Sequence, residues 1–169
     1  VERRAIENYL EVPDSVLKTL GQDQSRTNLI IAQIMILAVE KGLQTIVFAA
    51  TQQNAIDMAV LLRLNNCPAA AITSNTKDRA NLITDFKSGK IKVLANFGVL
   101  TTGFDAPNIG AVIIARPTMS VVLYSQMIGR GLRGELMGGL AECVVVDVVD
   151  NLVNMPAAAQ AFTYFNDFY

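Results

Sequence analysis

Four short, uninterrupted apolar runs constrain this chain more than any other feature: residues 46–50 (IVFAA), 93–95 within IKVLAN, 111–115 (AVIIA) and 143–149 (CVVVDVV). Alternating apolar and polar residues would mark a half-buried strand. Continuous runs bounded by polar loops mark strands buried on both faces, as in a parallel sheet. Residues 69–73 (AAAIT) form a weaker fifth candidate. Helical stretches fall between the runs. After Thr51, a good N-cap, the residues Ala55, Met58, Ala59 and Leu62 recur at i, i+3, i+4 and i+7 and make one apolar helix face. The stretch after Thr76 puts Leu82, Ile83 and Phe86 on one side and stops at Gly89. A further helix is predicted over residues 120–130, and another over 156–169, which carries Phe162, Tyr164, Phe165, Phe168 and Tyr169. Strand and helix alternate, so the expected class is α/β with a parallel sheet and right-handed crossovers.

Residues 29–41, apolar nearly all round, are expected to form a helix ahead of the first strand. Residues 1–28 are more polar and are broken by Pro13 and Gly21, with a short amphipathic piece over 16–20. They read as a linker or packing arm, with the domain proper at 29–169. The chain does not begin with Met and has the look of a piece of something longer. The apolar stretch 29–39, interrupted by Gln33, is well short of the ~20 residues that cross a bilayer.

Composition narrows the chemistry. With 169 residues, 51% of them hydrophobic, the chain can bury a core and is not disordered. A formal charge of −1 excludes an overtly basic nucleic-acid or membrane-surface module. There are no histidines and two cysteines, Cys67 and Cys143, without CxxC spacing. A zinc site, a Ser/His/Asp triad and a Cys/His pair within this chain are therefore excluded. Both thiols are expected to be buried and unreactive, in a reducing bacterial or intracellular setting.

Two segments carry chemistry. Thr101, Thr102, Gly103 and Asp105 lie together beyond a predicted strand end, where α/β sheets place ligands. Hydroxyls and free N–H groups suit phosphate oxygens, and the carboxylate suits a ribose hydroxyl. A solvated loop in which Asp105 caps a turn before Pro107 fits that segment equally well. In the second segment, Arg130 and Arg133 stand three apart on one face of a helix end, cleared by Gly129 and Gly131, with Gln126 a turn earlier. Two guanidiniums so placed form a fork for terminal phosphate oxygens. The basic run Lys77, Arg79, Lys87, Lys90 and Lys92 fits a solvated helix face better than a nucleic-acid track.

The segments 45–51 (TIVFAAT), 100–107 (LTTGFDAP) and 126–133 (QMIGRGLR) resemble motifs IV, V and VI of superfamily-2 helicases, in order and spacing. The resemblance is to the second, C-terminal RecA-like domain and covers roughly residues 29–150. The GRGLR form is most similar to the DNA-directed branch of restriction-enzyme motor subunits and RadD-like repair proteins. The resemblance implies a three-layer αβα sandwich on a mainly parallel sheet of about five or six strands. It implies that Arg130 and Arg133 reach the ATP γ-phosphate, with Arg133 the likelier finger, and that Gln126, Gly103 and Asp105 belong to the nucleotide side. Thr51, Thr73, Ser74, Thr101 and Thr102 match positions that touch the nucleic-acid backbone, although hydroxyls at strand ends are most often simple caps.

What is missing matters as much. There is no GxxxxGK[ST] loop and no Asp-Glu pair to hold magnesium. The resemblance then implies that Mg2+ and half of the ATP site are supplied by a preceding RecA-like domain, that DNA rather than RNA is the partner, and that this piece alone is inactive as an ATPase. A cytoplasmic motor is the expectation. A RecA-like module with a vestigial ATPase, serving only to bind protein, is the alternative.

Overall fold

The computed structural model describes residues 12–99, 108–118, 126 and 142–150. Its centre is a five-stranded sheet: β1 (Gln44–Phe48), β2 (Ala69–Ile72), β3 (Val93–Asn96), β4 (Ile109–Ile114) and β5 (Val144–Asp147), in the order β2-β3-β1-β4-β5. All four pairings are parallel. β3 and β4, each buried along its whole length, account for the continuous apolar runs.

Four α-helices complete the described fold: α1 (Asp14–Gln22), α2 (Gln24–Met35), α3 (Gln52–Leu64) and α4 (Arg79–Lys87). One face of the sheet buries Val47, Ala95 and Ile113 against Ile30 and Ile34 of α2 and against Ala55, Met58 and Leu62 of α3. The other buries Ile46, Leu94 and Ile114 against Phe86 of α4, with Leu82 and Ile83 packed alongside. The helix faces expected from periodicity are therefore the ones that pack.

The first third of the chain departs from expectation in its local structure. The helix placed from residue 29 starts at Gln24, because the Asp23 side chain accepts the backbone N–H of Arg26 at 3.0 Å and caps it. Neither Pro13 nor Gly21 breaks anything. Pro13 takes the N-cap position of α1, where its missing N–H costs nothing, and Leu17 of that helix is buried. Gly21 lies inside α1 because a Cβ there would sit 2.9 Å from Thr51 Oγ1. α2 continues as a π-helical turn, Ile36–Glu40, closed by Lys41 N–H to Ile36 O at 3.0 Å. Gly42 then leaves the helix at φ +66°, a left-handed conformation that favours glycine.

Among the described residues, no helix is long and apolar enough to cross a membrane, and no group of three carboxylate or thiol side chains is placed to hold a metal ion. Cys67 is buried, and burial raises its thiol pKa. Cys143, expected to be buried, is only partly so, because it precedes β5 at the margin of the described sheet; burial still pushes its pKa up to about 11.

Candidate nucleic-acid and nucleotide face

Parallel strands send all their exits to one edge, and here the strand order decides which exits meet. β1 lies between β3 and β4. The exits of β3 (residues 97–99) and of β4 (residues 115–118) therefore stand on either side of the C-terminal end of β1; in sequence, residues 100–107 follow the first and residues 126–133 come after the second. The C-terminal end of β1 is the point where the direction of winding reverses, the position at which open α/β sheets bind ligands. Beyond the strands the edge is kept tight by Ala49 N–H to Asn96 O and Ala115 N–H to Phe48 O, both 2.9 Å.

The β1 and β2 exits form a polar cluster made mostly of hydroxyls and amides. Thr51 is the N-cap of α3 and its Oγ1 accepts the Asn54 N–H at 3.0 Å, while its side chain stays partly exposed on an open cavity of about 880 Å3. After β2, residues 73–76 make a turn closed by Thr76 N–H to Thr73 O at 3.1 Å. Thr73 is buried, and its hydroxyl accepts the Asn75 N–H at 3.3 Å. Ser74 is exposed. Gln52 joins the two exits: its amide nitrogen donates to Ser74 Oγ at 2.8 Å and its amide oxygen accepts from Asn75 Nδ2 at 3.2 Å. Arg79 adds Nη2 to Ser74 O at 2.7 Å.

Thr51, Thr73 and Ser74 are thus brought to one edge, with Ser74 the most open of the three. A serine hydroxyl that accepts from Gln52 still has its own proton to donate, which is what an anionic oxygen needs. Gln52, Asn75 and Arg79 were not singled out as site residues from the sequence, since their partners lie in another loop.

Asn54 holds this edge to the rest of the domain. It is buried; its Oδ1 accepts the Ala50 N–H at 3.4 Å, and its Nδ2 donates to Gly21 O at 3.3 Å and Thr27 Oγ1 at 3.2 Å. The arrangement resembles a capping box, with an N3 side chain reaching back beyond its N-cap.

Gln126 is helical and partly buried. Thr101, Thr102, Gly103, Asp105, Arg130 and Arg133 lie outside the described residues. The basic run does not form one patch. Arg79 bonds Ser74 at the strand exits, with the exposed Lys77 just after the 73–76 turn, whereas Lys90 and Lys92 precede β3 at the opposite edge, Lys90 pairing with Asp85 at 3.6 Å.

Comparison with known proteins decides the family. The helicase conserved C-terminal domain matches residues 26–135, well over half of the sequence. The chain belongs to that family. It is 38% identical over 113 residues to the putative ATP-dependent helicase IRC3 of Saccharomyces cerevisiae, covering 65% of this chain and 16% of that protein. It is 42% identical over 110 residues to the putative mitochondrial ATP-dependent helicase irc3 of Schizosaccharomyces pombe, covering 64% of this chain and 18% of that protein. The chain therefore spans under a fifth of the length of these relatives. The fold is that of a DEAD box protein from Methanococcus jannaschii, with a TM-score of 0.65 at 21% identity over 83% of this chain and 37% of that one. This helicase C-terminal domain is RecA-like, with an all-parallel sheet among its described strands.

Proposed function

We propose that this helicase C-terminal domain is the second motor domain of an ATP-dependent DNA helicase or translocase, of the restriction-motor and RadD-like branch. A preceding RecA-like domain in the same polypeptide holds Mg2+ and the triphosphate, and α1 and α2 pack as part of the domain itself. A reducing, bacterial cytoplasm is the compartment we assign to it. The observation that carries the reading is the sequence QMIGRGLR, entered at the helical Gln126, in a chain of this family.

In this reading Arg130 and Arg133 reach the γ-phosphate across the interdomain cleft, and Gln126, Gly103 and Asp105 orient the nucleotide. ATP supplies the phosphoryl group whose transfer drives the cycle. The arginines act on charge that develops as the terminal phosphoryl leaves, so they accelerate turnover more than they tighten binding. On the other side of β1, the partly exposed Thr51 and the exposed Ser74 offer hydroxyl donors to the DNA backbone, together with Thr101 and Thr102, while the buried Thr73 holds the turn that presents Ser74. Neutral donors of this kind position a strand without reading its sequence.

The test is Arg133→Ala in the full-length protein. We expect kcat for ATP hydrolysis to fall ~10³-fold with little change in ATP affinity or in melting temperature. Arg133→Lys should rescue little, because an ammonium lacks the planar fork. Near-wild-type turnover in Arg133→Ala would refute the reading.

A further inference from the structure

A buried ion pair outside the polar cluster joins the strand exits on the other side of β1. Arg26 lies in the first turn of α2 and is almost wholly buried, 8% exposed, against Asp150 at 10%. Its Nε donates to Asp150 Oδ1 at 2.7 Å and its Nη2 to Asp150 Oδ2 at 2.9 Å, a planar two-point match between guanidinium and carboxylate. The same Nη2 donates to the carbonyl oxygen of Ala115 at 2.7 Å. Ala115 is the first residue beyond β4, and Asp150 lies three residues beyond β5. One guanidinium therefore grips the exits of two adjacent strands. In sequence, residues 116–149 fall between the two gripped positions, QMIGRGLR among them.

The pair is poorly explained as a source of stability. Both charges are removed from water, and Arg26 Nη1 is buried with no hydrogen-bond partner among the described residues. A buried pair with an unmet donor is matched or exceeded in stability by well-packed apolar side chains of the same volume. What apolar side chains cannot reproduce is direction. Three short, charge-assisted bonds fix Ala115 O and the Asp150 carboxylate relative to α2. α2 is itself anchored: Asp23 caps it through the Arg26 N–H, and the next residue, Thr27, accepts from Asn54.

We propose that Arg26, through Asp150 and Ala115, is a positioning residue for the arginine-bearing segment: it fixes the exit of β4 at residues 115–118, from which the chain runs on in sequence to that segment. The inference rests on the finger role of Arg133 proposed above. A misplacement of about 1 Å far from the reacting atoms can lower a rate ~10²-fold. Loss of the clamp should therefore appear in kcat.

The experiment uses the full-length protein and three variants. Arg26→Ala alone strands a buried carboxylate and is avoided. The double variant Arg26→Met/Asp150→Leu removes both charges together and should keep the melting temperature within a few degrees. Its kcat for DNA-stimulated ATP hydrolysis should fall by ~10- to 100-fold at unchanged KM for ATP. Hydrogen exchange should quicken in residues 115–118 and stay unchanged in β1 and β3, a readout independent of turnover. Arg26→Lys, which keeps the charge but not the planar fork, should fall between. Wild-type kcat and wild-type exchange at residues 115–118 in a folded double variant would overturn the proposal, as would exchange that quickens uniformly across the sheet. Arg133→Ala, run alongside, separates the failures. If it loses turnover while the double variant does not, the clamp is wrong and the motor reading stands. If it keeps turnover, the motor reading falls and the clamp falls with it.

Discussion

Replacing Asn54 by alanine tests whether the candidate edge is held by one buried amide. The substitution leaves the Ala50 N–H, the Gly21 carbonyl and the Thr27 hydroxyl without the partner they have now. An orphaned buried polar group costs about 1–3 kcal/mol. The three bonds are long, 3.2 to 3.4 Å, and a hydroxyl can rotate toward another acceptor, so the lower part of that range applies. The expected loss is about 2–4 kcal/mol in total, a large share of a stability on the order of 5–15 kcal/mol. For a chain of this size that is a fall in Tm of about 5–15 °C. Thr51→Ala removes a single cap and should cost about 1 kcal/mol. Because Thr51 and Asn54 serve the same helix start, the double variant should lose less than the sum. Asn54→Asp keeps the acceptor toward Ala50 but turns both donors into a carboxylate facing the Gly21 carbonyl, and should be at least as damaging as alanine. Urea unfolding followed by circular dichroism measures all four. A loss below about 0.5 kcal/mol for Asn54→Ala, the range of an ordinary surface change, would refute the claim that this amide holds the edge.

Two further outcomes are expected. The domain should bind single-stranded DNA weakly; Lys77→Ala, at the strand exits, should reduce the slope of log K against log salt by about 1, while Lys90→Ala at the opposite edge should leave it unchanged, and equal effects would refute the assigned face. For the thiols, a Cys143 pKa of about 11 against an ordinary 9.0 means that Cys143 should react slowly with a disulfide reagent at pH 8 and roughly tenfold faster per pH unit up to about pH 10. The unfolded thiol ionises first, so its contribution to stability is whole below pH 9 and is lost as pH rises toward 11; fast labelling at pH 7 would contradict this.

How far the sequence revealed the fold depended on whether a residue's environment is local. The α3 face was readable because Ala55, Met58, Ala59 and Leu62 answer to helical spacing alone, and all four are buried. The strand boundaries were not. The run at 46–50 appears as β1 over Gln44–Phe48, because Gln44 and Thr45 pair with β4 across a register shift, and Thr45 satisfies its buried hydroxyl on Leu43 O at 2.9 Å. Ala49 and Ala50, apolar and buried, already belong to the exit. α4 begins at Arg79 because the Thr73–Thr76 turn uses the residues that precede it. Residues 14–22 look like a polar arm because α1 needs only a narrow apolar stripe, with Leu17 as its buried member.

The site divides along the same line. The strand-exit placement of Thr51 and Ser74 was readable because a hydroxyl after a strand is visible in one sequence. Gln52 was missed because its partners Ser74 and Asn75 lie 22 and 23 residues away, and Arg26 because Asp150 is 124 residues away. Nothing in the neighbourhood of either residue announces that partner.

The weak charge of this domain bears on how a motor domain of the kind proposed above would grip DNA. At the β1 and β2 exits the donors are mostly hydroxyls and amides, with Arg79 committed to Ser74 O. Neutral donors give little long-range attraction, and in open solvent each exchanges one water contact for another. Their net contribution grows only when water is excluded, as it is when a second surface closes over the same strand. In the proposed motor, a surface of this composition would hold DNA in the closed state and release it on opening. A strongly basic surface would hold in both states, since a Lys–phosphate contact draws much of its strength from counterion release and needs no closure. The formal charge of −1, which at first argues against a nucleic-acid partner, is therefore compatible with one that is gripped and let go in each cycle.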